Sequence, residues 1–398
     1  MKIAIIGTGY VGLITGLCLG QKGHEVVCVD NDKAKIEKLR KGIAPFFEPG
    51  LDELLKDSNV KFDEDFEKAD VVMCCVGTPS DENGDVDLSA VQSVIEEHGS
   101  KGLFVMKSTV PVGTCKEGMI MNPEFLRQGS AIKDTLEPDR IVVGATSECE
   151  FEIMRKLYED FDAPIIETDL MTAELSKYAA NCYLATKLSF INEFANYCDR
   201  TGADFKKLQE CLKHDTRIGP EFLEPGVGFG GSCLPKDLKA MIHRSEDDDF
   251  KVLKAADQAN KIQKLKVVEK LKSEIDLKGR KVGILGLSFK PNTDDMRDAP
   301  SLDVITKLKE EGCDVHCYDP KAKSEHNNCK DPYEVCENSD ALLILTEWEE
   351  FGLLDLEKAR EKMKNGILID GRNVFKPEEA RKAGFIYHGI GQVGHEGV

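Results

Sequence analysis

A chain of 398 residues, 41% hydrophobic and 31% charged, is long enough for two or three domain cores built without disulfide staples. Its 72 acidic and 53 basic side chains give a formal charge of −19, which repels nucleic acid and anionic membrane surfaces and predicts neither as a partner. An anionic ligand must therefore find a local nest of Lys, Arg and backbone N–H groups.

No apolar run reaches the length of a membrane span, and Met1-Lys2 leads directly into a strand pattern with no signal-peptide layout, so a cytoplasmic protein is expected. The fourteen cysteines are scattered without a Cys-x-x-Cys pair. The nearest approach, Cys313 and Cys317, has no matching His or Cys pair, so no metal is predicted. Thirteen of the cysteines read as small buried hydrophobes in a reducing compartment. The exception is Cys233.

In chain order, Lys2-Ile-Ala-Ile-Ile-Gly7 reads as an apolar strand running into glycines, with a helix pattern behind it. A second strand covers His24–Asp30 and a third Asp70–Val76. Gly7-Thr8-Gly9-Tyr10-Val11-Gly12 fits G-x-G-x-x-G in the strand–turn–helix setting that dinucleotide binding requires. The glycines let the backbone approach a pyrophosphate, the helix N-terminus faces its charge, and Asp30 accepts the ribose 2′-OH. Asn31 and Asp32 follow, with no adjacent Arg to receive a 2′-phosphate, so the cofactor expected is NAD rather than NADP.

From about 170 to 275 strand signals fade and helical periodicity takes over. Leu175, Ala179, Leu184, Leu188, Ile191 and Phe194 mark a long helix over 172–200, suited to connecting two domains and to pairing across a dimer. A Gly/Pro-rich stretch at 219–235 breaks the helices, and Ser245-Glu-Asp-Asp-Asp249 reads as a solvated loop. Then the first scheme returns: a strand at 281–286, a helix at 302–311, and strands at 313–319 and 340–345. The predicted fold is α/β, with two Rossmann-like parallel-sheet domains joined by a central helical domain with a long connecting helix. The boundaries expected are 1–168 for NAD binding, 169–275 for the helical and dimerisation domain, and 276–398 for the second Rossmann-like domain.

Gly226-Val-Gly-Phe-Gly-Gly-Ser-Cys-Leu-Pro-Lys-Asp237 carries the most chemistry. Its glycines leave N–H groups open, and Pro235 suits the first turn of a helix. Cys233 then lies just before a helix N-terminus, where the macrodipole and nearby Lys236 favour thiolate. The bland alternative is one more buried cysteine.

With that loop on the page, the chain resembles the UDP-glucose/GDP-mannose dehydrogenase family. The matches run in order: Gly7–Leu13, Glu48-Pro-Gly-Leu51, Val76-Gly-Thr-Pro-Ser80, Lys107-Ser-Thr-Val-Pro-Val-Gly-Thr114, Asn122-Pro-Glu-Phe-Leu-Arg127, Lys177 with Asn181, the Cys233 loop, and Phe289–Arg297.

The resemblance implies two successive hydride transfers to NAD that turn a primary alcohol into an acid. Cys233 would trap the C6 aldehyde as a thiohemiacetal, and its oxidation would give a thioester. Lys177 and Asn181, four apart on one helix, would stabilise the reacting oxygen. Asp237 would position or activate water with Lys177, Glu124 would act as general base in hydrolysis, and Thr109 would order that water. Gly7, Gly9, Tyr10, Val11, Gly12, Asp30, Thr78, Glu48 and Arg297 resemble cofactor-contacting positions. Phe125, Leu126, Phe222, Leu223, Phe229, Gly230, Lys290 and Arg372 resemble nucleotide-sugar contacts. Arg217, in Asp215-Thr-Arg-Ile-Gly219, resembles an arginine that reaches the neighbouring active site in a homodimer.

The ordinary readings are that Glu174 and Lys177 form a surface helix pair and that Glu124 caps a turn. One departure from the family is plain: only Pro111–Met121 separates Val110 from Asn122, too short for a crossover helix, so the N-terminal sheet must be trimmed there. The Asp215–Gly219 stretch and compact length favour UDP-glucose, oxidised to UDP-glucuronate. GDP-mannose and a UDP-N-acetylhexosamine are the alternatives. A non-catalytic NAD- and nucleotide-sugar-binding protein and a two-electron hydroxyacid dehydrogenase remain as readings from other classes.

Overall fold

A computed structural model describes residues 1–81, 84–244 and 249–392. The acidic stretch read as a loop at 245–249 lies, but for Asp249, outside the described residues. The chain divides into two compact units, Met1–Ala180 and Asn181–Val398.

The first unit is built on eight strands: β1 (Lys2–Ile6), β2 (Glu25–Val29), β3 (Lys61–Asp63), β4 (Val71–Cys74), β5 (Leu103–Met106), β6 (Met119–Met121), β7 (Ile141–Gly144) and β8 (Ile165–Thr168). They hydrogen-bond in the order β3-β2-β1-β4-β5-β6-β7-β8. All pairs are parallel except β6 with β7. Because a strand alternates faces, Ile3 and Ile5 enter one core cluster while Ala4 and Ile6 enter another. Both faces are covered, which is why β1, β4 and β7 read as unbroken apolar runs. Strand order reverses between β1 and β4, so their carboxyl ends open the crevice where such sheets bind ligands.

One sequence expectation needs correction here. The strand at 70–76 is fourth in the chain, because the three-residue β3 precedes it with only Phe62 buried. The sheet is parallel as expected, with one antiparallel pair where the shortened segment rearranges it locally. The helix-free connection from β5 brings in β6 parallel to it, and β7 then pairs antiparallel at the Met121–Gly144 register.

The second unit has β9 (Lys281–Leu285), β10 (Asp314–Tyr318), β11 (Ala341–Ile344), β12 (Ile367–Asp370) and β13 (Ile386–Gly389) in the order β10-β9-β11-β12-β13, all parallel. Before them come the helices Phe205–Lys213, Leu234–His243, Lys251–Lys264 and Lys266–Glu274. The long helix, Leu170–Thr201, is 32 residues and carries the chain from one unit into the other. Among the described residues no helix is long and apolar enough to cross a membrane.

Candidate active site

Gly7 adopts φ +96°, and a Cβ on Gly12 would stand 1.9 Å from the Gly7 carbonyl oxygen, so only glycine permits this strand-to-helix turn. The helix Tyr10–Gln21 begins at Gly9 with no side-chain cap, and a Cβ at Gly9 would meet no atom within 4 Å. The N–H groups of that first turn are the ones a pyrophosphate would take. Asp30 is buried at the end of β2. Its Oδ2 accepts from the Thr8 N–H at 2.8 Å, the Thr8 hydroxyl at 2.7 Å and Lys35 Nζ at 2.8 Å, while Oδ1 accepts from the Asp32 N–H at 3.0 Å. Burial opposes its ionisation, but Lys35 and these N–H and O–H donors outweigh it and hold the carboxyl below its usual range. Oδ1, with one donor, keeps a lone pair for a ribose hydroxyl. These residues fit a dinucleotide.

Around this turn, Tyr10 donates its hydroxyl to Glu48, whose carboxylate also accepts from the N–H groups of Gly129 and Ala131. Glu48 thus fastens the 127–131 loop to the glycine turn. Thr78 is buried and donates to the Thr109 carbonyl at 2.7 Å. Val11 is half-buried on the first turn of the helix.

The first unit also holds a buried ion pair. Lys177 Nζ lies 2.9 Å from Glu124 Oε1, with the side chains 3% and 7% exposed. Burial pushes the Glu124 carboxyl up, yet Lys177, the Leu126 N–H (2.6 Å to Oε2) and Lys107 bring it below the usual carboxylate range. Glu124 does cap the turn at Leu126, but it is ion-paired as well. Phe125 lies beneath two cations, with Arg140 at 3.7 Å and Lys177 at 5.6 Å from its ring centroid. Leu126 packs against the core of this unit. The surface-pair reading of Glu174 and Lys177 fails, since Glu174 is fully buried and accepts from the N–H groups of Gly113 (2.5 Å) and Cys115 (2.7 Å). That carboxylate ties the shortened 110–118 segment, just beyond Thr109, to the long helix.

In the second unit Cys233 stands at the N-cap position of the helix Leu234–His243, without a side-chain capping bond, and Pro235 lies in the first turn. It is exposed, whereas ten of the fourteen cysteines are buried. Cys149 and Cys211 are also exposed and Cys313 is half-buried, which corrects the expectation of thirteen buried thiols. Four residues further on, the carboxylate of Asp237 is 1% exposed. It accepts from Asn181 Nδ2 at 2.6 Å on Oδ2 and from Lys236 Nζ at 2.7 Å on Oδ1. Lys236 is therefore engaged by Asp237. Arg297, which pairs with Asp295 at 2.7 Å, is close enough to Cys233 for their charges to interact, and that pairing keeps its guanidinium protonated. Ser232 Oγ lies 3.6 Å from the sulfur.

The glycine loop is hung on buried amides that sequence reasoning missed. Asn192 Oδ1 accepts the Gly226 N–H, Gln263 Nε2 donates to the Gly226 carbonyl, and Asn260 bonds both the N–H and the carbonyl of Phe229. A Cβ on Gly230 would sit 2.3 Å from the Asp298 carbonyl, so the loop packs directly on 297–299. Phe229 packs with Cys182, Ala185 and Leu238, and Leu223 joins the main core of the unit beside the half-buried Phe222 (φ +58°). Lys290 lies over the Phe289 ring at 5.8 Å. Arg372 donates to the carbonyls of Leu345 (2.9 Å) and Phe289 (3.2 Å) and pairs with Glu347 at 3.1 Å. Arg217 folds back on Asp215 in an exposed pair.

At the end of β10, where Asp30 stands in the first unit, Asp319 is buried. One oxygen accepts from Leu287 N, Ser288 N, Ser288 Oγ and Trp348 Nε1. Its two sheets share a plan, but in the second this acid is spent on the protein itself.

The fold and these sites define an NAD-dependent oxidoreductase. Residues 1–162 match the UDP-glucose/GDP-mannose dehydrogenase family NAD binding domain, 171–262 its central domain and 283–377 its UDP binding domain. The chain is 44% identical to "UDP-glucose 6-dehydrogenase TuaD" of Bacillus subtilis, covering 98% of this chain and 93% of that protein. It is 41% identical to a "UDP-glucose 6-dehydrogenase" of Rickettsia bellii, over 98% and 99%. A solved UDP-glucose dehydrogenase from Pyrobaculum islandicum superposes with TM-score 0.91 at 33% identity, covering 98% of both chains. A UDP-D-ManNAc dehydrogenase from Pyrococcus horikoshii gives 0.89 at 29%, covering 98% and 99%. The chain belongs to the UDP-glucose/GDP-mannose dehydrogenase family.

Proposed function

We propose that this chain oxidises C6 of UDP-glucose to the carboxylate of UDP-glucuronate in two NAD-dependent steps joined by covalent attachment to Cys233. The observation that carries this reading is Cys233 itself. It is an exposed thiol at a helix N-terminus, on a glycine loop, with the buried Asn181–Asp237 pair and the half-buried Lys236 one turn along. The relatives named for UDP-glucose support the substrate.

NAD would supply the hydride acceptor when bound; Gly7, Gly9, Tyr10, Val11, Gly12, Asp30 and Thr78 would hold it, and Arg297 resembles a further cofactor-contacting position. Lys177 and Asn181 hold the C6 oxygen as the alcohol loses its proton and hydride. Cys233 sulfur then adds to the aldehyde carbon, giving a thiohemiacetal that still carries a hydrogen at C6 to lose as hydride. Loss of that hydride and the hydroxyl proton leaves a thioester. Water, ordered by Thr109, positioned by Asp237 with Lys177 and deprotonated by Glu124, adds to the thioester carbon, releasing the carboxylate and the free thiol.

The nucleotide sugar is taken by Phe125, Leu126, Phe222, Leu223, Phe229, Gly230, Lys290 and Arg372. The segments 1–168, 169–275 and 276–398 then divide the work as cofactor, dimerisation and sugar-nucleotide domains. A homodimer fits the long helix, whose Tyr183, Phe190, Phe194 and Tyr197 are all more than 40% exposed in the chain alone. In that dimer Arg217 exchanges Asp215 for the neighbouring substrate. A cytoplasmic setting suits the reduced cysteines this chemistry needs.

The test is NADH formation with UDP-glucose, GDP-mannose, UDP-N-acetylglucosamine and UDP-N-acetylmannosamine offered separately. UDP-glucose turning over at least tenfold faster supports the reading. Turnover with another of the four alone overturns the substrate, and an unimpaired Cys233→Ser variant overturns the covalent route.

A further inference from the structure

Lys107 follows β5 within the Lys107–Thr114 motif, and the mechanism above leaves it without a role. Its side chain is 7% exposed. Among the described residues no carboxylate lies within ion-pair distance of its ammonium; Nζ donates to Asn122 Oδ1 at 3.1 Å. Asn122 is itself fixed, its Nδ2 donating to the Val142 carbonyl at 2.8 Å and its Oδ1 accepting the Tyr158 hydroxyl at 2.6 Å. A buried ammonium with a neutral partner is costly, and packing alone would be served by Met or Leu.

What Lys107 faces is Glu124. Both line one cavity of about 340 Å³ with Thr15, Asn122, Phe125 and Arg140. Three kinds of charged or titratable group surround the Glu124 carboxyl: Lys177 from the long helix, Lys107 from the end of β5, and Cys75 from the end of β4. Arg140 stands beyond, over Phe125. Burial pushes the Cys75 thiol up to about 12, so it stays neutral. Two ammonium groups therefore act on one carboxylate, Lys177 in direct contact and Lys107 from beyond ion-pair distance.

That arrangement matters once Lys177 is asked to hold substrate. Turning Lys177 toward the C6 oxygen takes away the ion-pair partner that Glu124 has among the described residues, in a buried site. We propose that Lys107 is a positioning residue for the hydrolytic half of the reaction, keeping Glu124 ionised and in place while Lys177 serves the substrate. The proposal rests on the reading of Glu124 as the hydrolytic base.

The experiment is a rapid-quench single turnover with UDP-glucose and excess NAD⁺, read by NADH absorbance and by the intact mass of the Cys233 adduct. It compares the parent with Lys107→Met, Lys107→Arg and Glu124→Gln across pH 5–9. Lys107→Met should form the first NADH with KM unchanged, then accumulate the acyl adduct. Its hydrolysis should slow by about tenfold or more at pH 7, and its acid limb should move up by about one pH unit, because an attractive charge on Glu124 is gone. Lys107→Arg should restore the limb. Should Lys107→Met fail to fold, Lys107→Gln, which keeps a donor for Asn122, carries the same comparison. Parent-like hydrolysis and an unmoved limb in a folded, uncharged variant overturn the role of Lys107 alone. Absence of any Cys233 adduct even in Glu124→Gln overturns the covalent reading and this proposal with it.

Discussion

Asn181 Nδ2 donates to Asp237 Oδ2 across 2.6 Å in a site where both side chains are buried, and Lys236 occupies the other oxygen. The carboxylate is thereby fixed in orientation four residues past Cys233. Asp237→Asn keeps the shape but removes the charge and sets an amide against Asn181. Turnover should fall about 100-fold or more, with stability reduced by about 1–3 kcal/mol. Steady-state kinetics beside a urea melt separate the two effects. Unchanged kcat would remove Asp237 from the chemistry.

The Lys177–Glu124 pair gives a pH signature in stability. Glu124 titrates below its usual range in the folded protein, so its stabilising effect is complete above its unfolded pKa, about 4.5. That effect is lost as pH falls through the depressed folded value. The stability gap between the parent and Glu124→Gln should be constant from pH 8 to 6 and shrink below pH 4.5. A gap independent of pH down to 3 would contradict the pairing. Lys177→Met, which strands a buried carboxylate, should cost about 3–5 kcal/mol at pH 7.

Cofactor choice turns on Asp30 and Lys35. Lys35 is held 2.8 Å from Asp30 Oδ2, so the basic group that could accept a 2′-phosphate is neutralised by the acid that repels it. Asp30→Ser removes the repulsion and releases the ammonium together. The ratio of kcat/KM for NADP to that for NAD should rise about 100-fold, equivalent to roughly 2.7 kcal/mol. Lys35→Ala in the same background should abolish most of the gain. An unaltered ratio in Asp30→Ser would remove Lys35 from cofactor choice.

What the sequence made legible follows from burial. Strands covered on both faces appear as apolar runs, so β1, β4, β9 and β11 stood out, and Gly12 announced its turn because nothing larger clears Gly7. The long helix was visible from its period. β3 was not, since three residues with one buried side chain carry no pattern. Nor were Glu174, Asn192, Asn260 and Gln263, because a buried polar residue on a helix looks like a surface one until its partner is known. A second cation near Cys233 was missed for a related reason. Lys236, three residues on, is held by Asp237, and Arg297, from more than sixty residues away, also lies within electrostatic reach of the thiol. The exposure of Cys211 could have been read, for the stripe of Phe205, Leu208 and Leu212 leaves it outside the core face.

The measurement that bears most directly on the central claim is the number of NADH molecules formed per UDP-glucose consumed to completion. A sulfur that retains the aldehyde for a second oxidation yields two, with UDP-glucuronate as the sole sugar product. A yield of one, with free aldehyde accumulating, would contradict it.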